Sequence, residues 1–271
     1  MHELPLSTRA AGFGEHLRAW RRRRRLSQLD LAAEADISTR HLSYVETGRA
    51  NPSREMVLRL TARLEVPFRE RNAFLVAAGY APMYRETRLD EPAMAAAKRT
   101  VELILKSHEP FPALAIDRHW NLVAANRMLP HLFADVDASL LQAPMNVLRL
   151  SLNPKGLAPK IVNLGQWRAH LFERLSHQIA ASAEPALISL LADLRKLPAR
   201  DGKPEETLQG EHMGIAVPLK FRSPSGVLNF ISTTTIFGSP LDITLQEIAL
   251  ETFFPSDDFT MQALQKLAAK T

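Results

Sequence analysis

Between Phe13 and Pro82 the apolar positions recur at helical spacing in five short runs, each bounded by a capping or turn residue. Phe13, Leu17 and Trp20 give the first run a stripe at i, i+4 and i+7. Ser27 stands where an N-cap would, Asp30 adds negative charge to the first turn of the second run, and Leu29, Ala32 and Ala33 repeat behind it. Asp36-Ile37 interrupts the pattern. Ser38 can cap a third helix carrying Leu42 and Val45 on one side, and Gly48 stands where a C-cap glycine would. Ser53 opens a fourth helix with Met56, Leu60 and Leu64. A fifth starts after Pro67 with Phe68, Leu75 and Ala78, and Gly79-Tyr80-Ala81-Pro82 ends the unit. The pattern predicts an all-α, five-helix domain over residues 1–82.

Past residue 82 the rhythm changes. Residues 83–106 read as a connecting helix or linker in which Met94, Val101 and Leu105 are partly buried. Pro112–Asn126 reads as two short strands around a polar turn at Asp117–His119. The middle is helical, notably Leu164–Ala181. The end alternates as strand over Gly214–Phe221, Val227–Phe237 and about Leu245–Phe254, with turns at 223–226 and 238–240. Thr244 and Glu247 have capping-box spacing, which keeps a helix open for the last run, although its β-branched and aromatic content favours strand. A terminal helix covers about Asp258–Lys270. Residues 107–271 are therefore expected to form an α+β domain.

The second and third helices of the first domain are joined so tightly that they match a helix-turn-helix, whose second helix lies in the DNA major groove. Charge points the same way. Residues 1–82 hold 14 Arg, no Lys and 9 Asp or Glu, a net of +5, which is the whole excess of the chain. Phosphate neutralisation needs such an asymmetry, and solubility does not. With Leu42 and Val45 facing inward, about 100° per residue carries Arg40, Ser43, Tyr44 and Thr47 outward, with Ser38 and Thr39 near the helix N-terminus. Arg40 can read a guanine edge or hold a phosphate, and Tyr44 can enter the groove or pack on the bundle rim. Arg49 and Asn51, in the loop after Gly48, are expected on the DNA backbone. Five consecutive arginines, Arg21–Arg25, wrap all round a helix end, so some contact phosphate and others are solvated.

The segment Phe13–Pro82 resembles the helix-turn-helix domain of the XRE family, which contains the phage lambda-type repressors and Cro. The carriers are LSQ at Leu26–Gln28, the small Ala32 and Ala33, Ile37, and ETG-x-x-x-P at Glu46–Pro52. The resemblance implies a phosphate contact for Gln28. The second half resembles the ligand-binding domain of MmyB-like transcription regulators, a PAS-like module that follows such a helix-turn-helix. Its carriers are FPALAIDRHWNLVAAN (111–126), NVLRLSLNPKGLAPKIVNLGQWRAHL (146–171), VPLKFRSPSGVLNFISTTTIFGSPLDITLQE (217–247) and ETFFPSDD (251–258). This implies a small-molecule sensor, some of whose relatives hold a fatty-acid-like ligand.

One physical clue bears on that ligand. Leu164, Trp167, Leu171, Phe172, Leu175 and Ile179 cover one arc of a helix, and Arg168 falls inside it. A buried guanidinium needs an anionic or carbonyl partner. Either a group of the same domain or a ligand carboxylate can supply it. Arg149, within the apolar Val147–Leu150, is a candidate of the same kind, and Trp167 would flank the site. His170, Glu173 and His177 share the opposite, polar side of the helix, which reads as a solvated face rather than a metal site.

The chain has no cysteine, which excludes disulfides and thiolate chemistry. No stretch approaches the roughly 20 apolar residues of a membrane span, and residues 1–10 lack a secretory apolar run. No nucleophile elbow, phosphate loop or dinucleotide glycine pattern occurs. The expectation is a cytoplasmic, non-enzymatic regulator that binds double-stranded operator DNA as a homodimer, with no membrane partner. It would sense a small acidic amphiphile; a bound fatty-acid-like molecule is the favoured cofactor candidate, and haem ligation by one of the nine histidines stays open. Three alternatives stay open: a second domain that only dimerises, a second domain that is a small-molecule enzyme, and an antitoxin-like partner of a neighbouring gene product.

Overall fold

The computed structural model describes residues 6–133, 135–198, 217–237 and 242–270. They divide into two compact units, one of residues 1–86 and one made of most of the remainder.

The first unit is all helix: α1 (Leu6–Arg23), α2 (Gln28–Glu34), α3 (Thr39–Glu46), α4 (Arg54–Arg63) and α5 (Phe68–Ala77). Its core gathers Phe13, Leu17 and Trp20 from α1 with Leu42 and Val45 from α3, Leu60 from α4, and Phe74 and Leu75 from α5. Ser27, Ser38 and Ser53 each cap the helix that follows by accepting a backbone N–H. Around Ser27 the box is complete, because the Asp30 carboxylate accepts the Ser27 N–H in return. That box fixes the register of α2, and it corrects one expectation. The buried residues are Leu31, Ala32 and Ala35, whereas Leu29 is 66% exposed and Ala33 is exposed. With Asp30 locked at the third helical position, Leu29 is turned to solvent.

Gly48 adopts a φ of +71° after α3, the left-handed conformation of a helix-ending glycine. Gly14 has a different task. A Cβ there would lie 2.5 Å from the Glu46 carbonyl oxygen and 2.6 Å from that of Val45, so only glycine lets α1 cross the end of α3 this closely.

The second unit comprises α6 (Ala95–Ser107), β1 (Ala113–Ile116), β2 (Leu122–Ala125), α7 (Val147–Leu152), α8 (Leu164–Ser182), α9 (Pro185–Lys196), β3 (Leu219–Ser223), β4 (Gly226–Ile236), α10 (Ile243–Gln246), β5 (Ala249–Pro255) and α11 (Asp258–Ala268), with short 3₁₀ turns between them. The strands form one antiparallel sheet in the order β2-β1-β5-β4-β3. Alternation along β1 sends Ala113 and Ala115 to one face, against Val101 and Leu105 of α6. Leu114 and Ile116 go to the other face, against the larger core built with α7, α8 and α9. On β5 the same alternation sends Leu250 to the α6 side and Ala249 and Phe253 to the larger core.

Both readings of the last strand segment hold in part: residues 243–246 make a helical turn and β5 follows from 249. The helix expected within residues 83–106 begins at Ala95, and α9 is an element the periodicity did not single out. The start of the strand expected at 214–221 and the turn expected at 238–240 lie outside the described residues. Gly226, with φ +132°, closes the β3–β4 hairpin, where a Cβ would come within 2.8 Å of the Phe259 ring.

Candidate DNA-binding face and ligand cavity

On α3, Leu42, Val45 and Glu46 are buried, which turns Arg40, Ser43, Tyr44 and Thr47 away from the core. Arg40 and Thr47 are exposed; Thr39, Ser43 and Tyr44 are half-buried. Arg40 Nε donates to the Tyr44 hydroxyl at 3.0 Å, and its guanidinium lies 5.4 Å from the Tyr44 ring centre, so the two side chains form one presented unit. Ser38 Oγ accepts from His41 N at 3.1 Å, and Thr47 Oγ1 donates to the Ser43 carbonyl at 2.8 Å. Arg49 and Asn51 stand exposed in the following loop.

A buried carboxylate organises the other side of α3. Glu46 accepts from Arg21 Nε at 2.6 Å and Arg21 Nη2 at 3.0 Å, and from Gln28 Nε2 at 2.8 Å. Arg18 lies 3.5 Å away, and the Glu46 side chain has no exposure. Burial alone would push the Glu46 carboxyl up, but the Arg21 and Gln28 hydrogen bonds, with the Arg21 and Arg18 charges, outweigh it and hold the pKa below its ordinary 4.5. One carboxylate thus ties α1 and α2 to α3. This sorts the arginine run. Arg21 is internal. Arg24 donates to the Leu64 and Glu65 carbonyls at the end of α4, and Arg23 and Arg24 both lie over the Trp20 ring. Arg22 and Arg25 stay exposed.

In the second unit a cavity of about 90 Å³ lies between the sheet and α7 and α8. Its wall is apolar, with Leu114, Leu148, Trp167, Phe230 and Phe253, and it carries three polar side chains: Ser151, Arg174 and Glu251. Glu251 sits on β5 and is 5% exposed. A carboxylate so placed must be answered, and Arg174 of α8 does so through both terminal nitrogens, Nη2 to Oε1 and Nη1 to Oε2, the latter at 3.3 Å. Thr234 Oγ1 adds a hydrogen bond to Glu251 at 2.9 Å, and the Arg174 guanidinium stacks 4.9 Å from the Trp120 ring centre. Trp167 Nε1 donates to Ser151 Oγ at 3.0 Å.

Residues 97–267 match the family described as MmyB-like transcription regulator ligand binding domain, and residues 13–74 match a helix-turn-helix domain. The chain belongs to the MmyB-like transcription regulators. No curated protein matches it. Among solved structures, the clp gene regulator ClgR from Corynebacterium glutamicum aligns at 22% identity and a TM-score of 0.24, over 40% of this chain and 99% of that one, a likeness too slight to argue from. This MmyB-like regulator therefore joins a DNA-binding helix-turn-helix to a ligand-binding domain, as its sequence resemblance implied.

Two residues expected at the ligand lie away from this cavity. Arg168 does not line the cavity; it donates to the carbonyls of Leu194, Arg195 and Pro198 at 3.1, 3.2 and 3.3 Å and so closes the C-terminal end of α9. Its requirement for a partner is met by the protein's own carbonyls. Arg149 is also outside the cavity wall, in an exposed ion pair with Asp193 at 2.8 Å. Trp167 does line it. The residue that sequence reasoning missed is Arg174, and a signal was present: it follows Trp167 by seven residues, two turns along the same side of α8. Among the described residues, no three His, Asp or Glu side chains gather as a metal ion would need, and no helix is long and apolar enough to cross a membrane.

Proposed function

We propose that this regulator binds an operator as a homodimer through α3 and that its second domain senses a small acidic, fatty-acid-like amphiphile. The reading divides the chain into a DNA-binding domain over 1–82, a connecting segment over 83–106 and a PAS-like sensor over 107–271, at work in the cytoplasm. The observation that carries it is the outward face of α3: a joined Arg40–Tyr44 pair flanked by Ser43 and Thr47, in the unit that holds the entire net charge of the chain. Arg40 reads base edges in the major groove, where a bidentate contact discriminates by about 1–3 kcal/mol. Ser38, Thr39, Arg49 and Asn51 hold the backbone on either side. Gln28 serves there too: its amide nitrogen carries two hydrogens, one committed to Glu46 and the second available to a phosphate oxygen.

Homodimerisation follows from operator symmetry, because a single recognition helix binds weakly. The sheet order β2-β1-β5-β4-β3 supports the PAS-like assignment. The apolar cavity supports a ligand with a hydrocarbon body, and regulation is then a coupling free energy between ligand and operator. The test is operator selection from random duplexes with the full chain, followed by salt titration. Arg40→Ala should relax preference at one base position and leave the salt slope nearly unchanged, and Arg49→Ala should weaken all duplexes alike. No preference over random competitor DNA would refute the assignment. Dodecanoate should shift operator affinity at fixed salt.

A further inference from the structure

The cavity beside Arg174 is too small for the ligand just proposed. An apolar cavity of about 150 Å³ takes a molecule of benzene's size, and this one has about 90 Å³. Its charge is also wrong for an acid. Among the described residues its charged lining groups are Arg174 and Glu251, and each already satisfies the other. A second carboxylate brought to Arg174 would face Glu251 at close range, and like charges there oppose ionisation of both.

A second cavity in the same unit, of about 480 Å³, has the complementary properties. Leu228, Ala263, Leu264 and Leu267 give it an apolar floor. Its ionisable lining is Lys160, Arg222, His131 and one acid, Asp135. Lys160 Nζ lies 3.2 Å from Asp135 Oδ2, and the Asp135 side chain is 86% exposed, so that pair is well screened. Arg222 is exposed on β3 and makes no side-chain hydrogen bond among the described residues. Among the described lining residues the two fixed cations therefore outnumber the one carboxylate.

Leu132 and Phe221 line both cavities and form the partition between them. Leu132 belongs to a five-residue 3₁₀ helix, Leu129–Phe133, whose hydrogen bonds are poorer than those of an α-helix. Phe221 belongs to β3, held by its ladder to β4. The Leu132 side of the partition is the easier one to move.

We propose that an acidic amphiphile enters tail-first between Leu132 and Phe221, fills the inner cavity with its hydrocarbon end, and leaves its anionic head on Lys160 and Arg222. The proposal rests on the acidic-amphiphile reading and assigns that ligand an orientation, a head-group site and a way in. Opening the partition joins the two spaces, which already share Leu132 and Phe221, into one. Arg174 and Glu251 then mark the end reached by the tail, not the head.

Dodecanoate and 1-dodecanol, which share a tail and differ in head charge, separate the possibilities when their binding to the full chain is measured calorimetrically. Lys160→Gln with Arg222→Gln should weaken dodecanoate about tenfold, equivalent to about 1.4 kcal/mol, and leave dodecanol unchanged. Arg174→Gln with Glu251→Gln, made together so that no charge is left buried alone, should leave the acid-to-alcohol ratio unchanged. The reverse pattern, with the ratio moved by the inner pair and not by the outer one, overturns the orientation. Leu132→Ala should speed association of both probes and Leu132→Trp should slow it; equal rates in both variants overturn the route. If neither probe binds the wild-type chain, the acidic-amphiphile reading itself falls, whatever the orientation.

Discussion

Replacing Glu46 by alanine tests the buried network that holds the recognition helix. The carboxylate has no exposure and the Arg21 side chain only 10%, so the substitution strands a guanidinium in a nearly dry site. Removing one partner of such a pair costs about 3–5 kcal/mol. Arg21 retains one contact, Nη1 to the Leu26 carbonyl at 2.9 Å, and can reach some water, which places the expected loss at the lower end, about 3 kcal/mol. Glu46→Gln keeps the shape and one acceptor but sets an amide NH₂ against the guanidinium, for about 2 kcal/mol.

A single unfolding free energy is ill-defined for a chain of two units, so the loss must be read on the first unit alone. Hydrogen-exchange mass spectrometry of peptides from α1, α3 and α5 does this. A loss of about 3 kcal/mol accelerates their slowest amides by about two powers of ten. Peptides from the β-sheet, in the other unit, serve as the internal control. Less than a tenfold acceleration in Glu46→Ala would refute the claim that the carboxylate joins the three helices. There is also a pH signature. Because the folded pKa of Glu46 is depressed, its stabilisation is complete above its ordinary 4.5 and is lost as pH falls through the folded value. Glu46→Gln should lack that step.

Gly14→Ala should destabilise the first unit by about 1–3 kcal/mol, read by the same exchange experiment, because its Cβ would press on two backbone carbonyls of α3 that cannot move independently. His16 stacks on Phe74 at 4.3 Å, and burial, with a smaller contribution from Arg23, lowers its pKa from 6.5. The unfolded chain therefore takes the proton more readily, so stability should fall as pH drops below 6.5, and His16→Leu should flatten that dependence in denaturant titrations at stepped pH. Arg168→Ala should cost about 1 kcal/mol by uncapping α9, read as faster hydrogen exchange in α9 peptides, with dodecanoate affinity unchanged; a selective loss of that affinity would return Arg168 to the ligand site.

The helices of the first unit were legible because apolar stripes run along them and capping serines mark three of the five helix starts. Ser27, Ser38 and Ser53 each precede a run whose period is helical, and the structure uses all three. The inward face of α2 was not legible, since seven residues hold too few apolar positions to fix a phase without the capping box. In the second unit, the strands of Pro112–Asn126 and the arc of α8 could be read from period alone. Arg168 could not be resolved that way, because its partners are backbone carbonyls from the end of α9, and carbonyls leave no mark in a sequence. Arg174 stands two turns from Trp167 on the same side of α8, but its partner Glu251 lies 77 residues away on β5, so the pairing shows only when the two elements meet.

Two of the buried acids, Glu46 and Glu251, invite one comparison. Glu46 and Glu251 each place a carboxylate among apolar neighbours, and each is answered by a guanidinium from a neighbouring helix. Such pairs add little stability over a well-packed apolar substitute, and what they can add is a single arrangement. For α3 that arrangement is its rotation about its own axis. Arg21 grips both oxygens of Glu46, so a small roll of α3 would break two hydrogen bonds at once and displace Arg40 and Tyr44, the proposed groove contacts. The double variant Arg21→Met with Glu46→Leu separates the two roles. It should recover most of the exchange protection lost in Glu46→Ala, because no charge is left buried, and yet discriminate the selected operator from single-base variants less well. Full recovery of both protection and discrimination would show that apolar packing alone sets the rotation of α3 and that the ion pair is dispensable for reading DNA.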